Sequence, residues 1–138
     1  MKKIFVFLAV IMATLQFGSC NIDDGVNFKF ITLQVVAADF PEAFEINQVY
    51  TINVIYIRPD SCTYFEGFDF RKTEDTTRDI AVIGSLLTDT DDCIEIAEKV
   101  ETSFKFKVLY SEPYLFKLYT GDNQDGEPQY LEIEVPVN

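Results

Sequence analysis

The 138 residues carry 23 acidic side chains against 11 basic ones, a net charge of −12, and no histidine. A chain this acidic repels a phosphate backbone, which excludes nucleic acid as a partner. The missing imidazole removes Ser-His-Asp and Cys-His chemistry in their usual forms, and the helical zinc-protease motif with them.

The chain opens MKKIFVFLAVIMATLQFGSC. Lys2 and Lys3 precede an uncharged apolar run from Ile4 to Phe17, and Gly18 and Ser19 stand just before Cys20. This is the layout of a bacterial secretory signal. The run falls short of the roughly 20 residues that a membrane-spanning helix needs. Small residues before a cysteine at the end of such a run resemble a lipobox. The resemblance implies cleavage after residue 19, a diacyl group on the Cys20 sulfur and a further acyl chain on the new amino group. At about 0.8 kcal/mol per buried methylene, several chains hold a protein on a membrane without a spanning helix. Asp23 and Asp24 follow, and an acidic pair there resembles the surface-export signal of Bacteroidota lipoproteins. The expected location is the outer membrane, lipid-anchored and facing the cell surface, with its periplasmic face as the alternative. With Lys2 and Lys3 removed, nine bases against 23 acids leave a mature charge of −14.

The expected organisation is a signal peptide over 1–19, a lipidated Cys20 with an acidic tether over 20–27, and one domain over 28–138. Within the domain, apolar residues recur mainly with period two. NFKFITLQVVA predicts a first strand and VYTINVIYI a central one, covered on part of both faces. Pro59 and Asp60 in RPDSC are expected to break it. TYFEGFDFRK predicts a strand with Gly67 at a bulge. EDTT reads as a turn, RDIAVIGSLLT as a strand bent at Gly84, and DTDDC as an acidic loop. IEIAEKVE reads as extended or loop, and SFKFKVLY as a strand. YLFKLYTG and QYLEIEVPV flank a hairpin loop, DNQDGEP, with Leu131, Ile133 and Val135 opposed to Glu132 and Glu134. About seven strands with turns between them and no convincing long helix suit an antiparallel sandwich.

If Cys20 carries lipid, Cys62 and Cys93 remain as a pair. Export places them in an oxidising compartment, where a disulfide is the default.

The hairpin PYLFKLYTG…GEPQYLEIEVPV resembles the end of immunoglobulin-like domains, where an aromatic opens the penultimate strand. The lipobox, the Y-x-I-x-V-x-Y strand, the P-x-x-C turn and the second cysteine after an acidic loop together resemble small Bacteroidota lipoproteins with an immunoglobulin-like β-sandwich. That resemblance implies architecture and brings no assigned activity. The tryptophan and the cysteine positions of antibody domains are missing.

Candidate sites are few. Glu66, Asp69 and Glu74, or Glu132 and Glu134, are the carboxylates nearest to a glycosidase-like pairing, and each also reads as a solvent-facing position. No enzymatic activity is expected. Asp89, Asp91 and Asp92 in one loop, and Asp122, Asn123, Asp125 and Glu127 in another, offer oxygen ligands for Ca2+. Asp, Asn and Gly also simply form turns. Tyr64, Phe65, Tyr110 and Tyr114 lie near loops, where aromatics contact sugars or peptides or plug a core. Asp75–Thr77 resembles a Bacteroidota O-glycosylation site, with Thr76 as acceptor. The expected role is non-catalytic binding or structural support at the cell envelope, with an unknown protein or glycan as partner. The alternatives are an accessory subunit of an uptake or secretion complex, a calcium-dependent adhesion module, and a small hydrolase using carboxylates only.

Overall fold

A computed structural model describes residues 25–138, and its regular elements are all strands: β1 (Phe28–Leu33), β2 (Val35–Asp39), β3 (Val49–Asp60), β4 (Thr63–Lys72), β5 (Thr77–Leu87), β6 (Glu95–Lys107), β7 (Tyr114–Asp122) and β8 (Pro128–Val135). The expected signal peptide, Cys20 and the Asp23–Asp24 pair lie outside the described residues. The strands form two sheets. One has the order β2-β3-β6. The other runs β1-β5-β7-β8, with β4 on the opposite edge of β5.

Four sequence expectations are corrected here. There are eight strands, because NFKFITLQVVA is two strands in two different sheets. Leu33 and Val35 are both buried, while Gln34 between them carries the chain from one sheet to the other. A strand crossing between facing sheets keeps its inward alternation, so period two runs unbroken through the crossing. The larger sheet is mixed, since β5 and β7 pair in parallel from Thr77–Leu115 to Ile80–Leu118. β3 continues through Pro59 to Asp60. IEIAEKVE is extended, as expected, but from Glu95 it runs without a break into SFKFK as one strand of 13 residues, ending at Lys107. The last two are linked. Pro59 has no N–H to give to the ladder, and the β3–β6 register slips between Arg58 and Asp60. Ala97 takes up the slack at φ 46°, a left-handed conformation that costs roughly 1 kcal/mol outside glycine.

Gly67 marks the expected irregularity, where the β4–β5 register shifts between Phe65 and Gly67. Gly84 is demanded by close approach, since a Cβ there would lie 2.9 Å from the Tyr64 carbonyl oxygen and 2.8 Å from Leu33 Cδ1.

The sheets pack face to face. Ile52, Val54 and Tyr56 of β3 are buried together with Ile80 and Val82 of β5 and Phe116 and Leu118 of β7. Aromatic pairs span the two layers, among them Phe68 with Phe104 at 5.2 Å and Phe106 with Phe116 at 5.0 Å between ring centroids. Phe44, in the β2–β3 connection, is fully buried and closes one pole against Tyr50, Phe106, Tyr114 and Phe116. Its backbone bonds to Pro136 and Asn138 dock the C-terminal segment there. At the other pole, Cys62 and Cys93 form the expected disulfide, with Cα atoms 5.4 Å apart. It joins the start of β4, in the larger sheet, to the segment leading into β6, in the smaller one.

Candidate functional site

β5 changes neighbours along one edge. Its first half pairs with β7 and its second half, from Val82, with β1. The strand β1 ends there because the chain leaves for the other sheet at Gln34, while β7 continues past its last β5 partner. The diverging strands leave a wedge on the outer face of the larger sheet. A cleft of about 220 Å³ opens in it, lined by Thr32, Asp69, Arg71, Asp79, Tyr119 and Tyr130 among others.

Outward positions of neighbouring strands supply the side chains. Arg71, Asp79, Lys117 and Glu132 stand in register across β4, β5, β7 and β8, a row of alternating charge. Lys117 pairs with Glu132 at 3.5 Å. Arg71 bonds Asp69 through both Nε and Nη2 at 3.0 Å. Asp79, between the two cations, keeps a buried Oδ1 with no hydrogen-bond partner among the described residues. A buried acceptor left unpaired is costly and calls for an explanation.

The other wall is aromatic. The rings of Tyr119 and Tyr130 meet at 6.3 Å and 74°, and Tyr130 remains 43% exposed. The Tyr119 hydroxyl donates to Asp122 Oδ1 at 3.0 Å. Burial, and then that bond to a carboxylate, push its pKa above the ordinary 10.0, so the phenol stays protonated at neutral pH. The cleft thus combines guanidinium donors, carboxylate acceptors and a partly exposed ring, the mixture by which small polar ligands are oriented.

Of the residues singled out from the sequence, Asp69 lines the cleft and Glu132 ends the charged row beside it; the others lie outside its lining. In the two acidic loops, several polar side chains bond backbone and hydroxyl groups. Asp89 accepts the Asn27 N–H, Asp122 the Tyr119 hydroxyl, and Asn123 the N–H groups of Asp125 and Glu127. Asp91 and Asp92 are exposed. No three acidic or thiol side chains converge as metal ligands among the described residues. Of the nominated carboxylates, Glu66 bonds Ser85, Glu74 bonds Thr77, and Glu132 pairs with Lys117. Thr76 is half-buried, and its carbonyl accepts the Leu115 N–H. Tyr114 is fully buried, its hydroxyl oxygen accepting the N–H groups of Leu109 and Tyr110 at 3.0 Å each. Tyr64 and Phe65 are partly exposed, and Phe65 stacks on Tyr56.

Arg71, Asp79, Tyr119 and Tyr130 escape a reading by sequence because outward polar positions on a strand look like a solvated face. One signal was present: Asp79 is a lone carboxylate at the head of the apolar strand RDIAVIGSLL. Comparison with protein families, with curated proteins and with solved structures finds no match for this chain.

Proposed function

We propose that this protein is an outer-membrane lipoprotein, anchored through acyl chains on Cys20 and facing the cell surface. Its β-domain acts there as a non-catalytic binding module. The observation that supports binding is the cleft itself, whose walls bring the Asp79 carboxylate, the Arg71 guanidinium and the partly exposed Tyr130 ring to one opening. An immunoglobulin-like relationship is part of this reading. Tyr114, at the start of the penultimate strand, ties its hydroxyl to backbone four and five residues upstream, in the manner of a tyrosine corner. The parallel β5–β7 pair departs from that pattern.

Two measurements test the reading. Intact mass of protein extracted from native membranes should show a chain starting at Cys20 with added acyl mass, and an unlipidated chain sinks the anchor. Immobilised full-length protein should retain a component of envelope extract that Arg71→Ala and Tyr130→Ala variants release. Equal retention by wild type and both variants removes the cleft from the function.

A further inference from the structure

We propose that the cleft takes a neutral, hydroxyl-rich ring, that is, one sugar unit of an uncharged glycan. This rests on the reading of the cleft as a binding site. The charges around it argue for neutrality. Asp69 with Arg71, and Lys117 with Glu132, form compensated pairs, which leaves Asp79 as the uncompensated group. An anionic ligand meets that carboxylate and the field of an acidic chain. A cationic ligand is drawn to Asp79 but offers the neighbouring Arg71 guanidinium no acceptor. A hydroxyl meets no repulsion and serves both groups. It donates to the Asp79 carboxylate at the cleft wall and accepts from the Arg71 guanidinium, and vicinal hydroxyls do both at once.

The aromatic wall fits the same ligand. A sugar ring has an apolar C–H face, and the negative face of an aromatic ring attracts such hydrogens. The cleft is smaller than the roughly 300–1,000 Å³ of sites for drug-sized ligands, a size suited to one ring. The surface does not end there. Thr32 lines the cleft, and Phe30 and Phe28 occupy the next outward positions on β1, about 7 Å and 14 Å further along the strand. They are 66% and 52% exposed, with their rings packed edge to face. Further units of the same chain would lie over them, so a polymer should bind more tightly than its monomer.

The test is native gel electrophoresis of the full-length protein in non-ionic detergent, with polymers cast into the gel. Dextran, mannan and xylan serve as neutral probes, hyaluronate as the anionic and polylysine as the cationic probe. At least one neutral polymer should retard the protein, and its free monosaccharide should compete only weakly. Tyr130→Ala, at an exposed position, should weaken retardation about tenfold, equivalent to about 1.4 kcal/mol. Phe30→Ala should weaken binding of the polymer but not of the monosaccharide. Neutral binding that survives Tyr130→Ala and Arg71→Ala unchanged overturns the proposal, as does a panel in which no neutral polymer retards the protein. Retardation by hyaluronate alone, lost in those two variants, overturns neutrality, and by polylysine alone overturns the sugar assignment, while the cleft stands as a binding site in both cases.

Discussion

Arg71 and Asp79 face each other across β4 and β5, yet the Arg71 guanidinium turns along its own strand to Asp69. The pairing offered by the sheet is declined, and Asp79 Oδ1 is left bare. A carboxylate kept in this state does not serve the stability of the fold.

Asp79→Ala should therefore leave stability within about 0.5 kcal/mol of wild type or raise it, since it removes an unpaired buried acceptor. Asp60→Ala provides the contrast. Asp60 Oδ1 accepts both the Cys62 N–H and the Thr63 hydroxyl at 2.9 Å, and its loss should cost about 1–2 kcal/mol. Urea unfolding of the two variants side by side checks this. A larger loss for Asp79→Ala would make that residue structural.

The disulfide closes a loop with a sequence separation of 31. In the chain-entropy view, such closure stabilises by roughly 3–4 kcal/mol through the unfolded state. The Cys62→Ala, Cys93→Ala double variant should lose about that much in urea unfolding. A loss below 1 kcal/mol would mean that the two sheets are held without it.

Tyr114→Phe keeps the buried ring and removes the acceptor of two N–H groups. The expected loss is about 1–2 kcal/mol. Hydrogen exchange should quicken at the Leu109 and Tyr110 amides while those of the β3–β6 ladder stay protected. Unchanged exchange at both amides would count against the assignment.

Stability should fall above pH 10. The phenols of Tyr56 and Tyr119 are raised from 10.0, both chiefly by burial, and the Lys72 amine is raised from 10.5, chiefly by its bond to Tyr110 and then by Asp75. Each group holds its proton more tightly folded than unfolded. Its contribution is complete below the unfolded value and lost as pH rises through the folded one. The urea midpoint should begin to drop as pH rises past 10, and drop less in Tyr119→Phe. A flat profile would contradict the burial of these phenols.

Much of the fold was legible because inward alternation survives in the sequence. Leu131, Ile133 and Val135 against Glu132 and Glu134 mark β8, and Phe104 and Phe106 against Lys105 and Lys107 mark the end of β6. Sheet membership was hidden. Gln34 looks like any outward residue of a continuous strand, although the chain changes sheets there. The parallel β5–β7 pair depends on how β6 crosses between the layers, and no local pattern records that. The cleft was hidden for the same reason: Arg71, Asp79, Tyr119 and Tyr130 belong to four strands, and only the pairing order brings them together.

The N-terminal end of the domain is tied down beside the disulfide. Asn27 accepts the Thr88 N–H and donates to Asp89, and the Leu87 N–H bonds the Cys62 carbonyl. Asn138 docks at the far pole, on Phe44. Mechanical load entering at Gly25 is therefore met first by the Asn27 clasp and then by the β1–β5 ladder. If the clasp gives way, the covalent bridge between the sheets keeps that pole from opening. The domain is reinforced at the end where the proposed Cys20 anchor would pull.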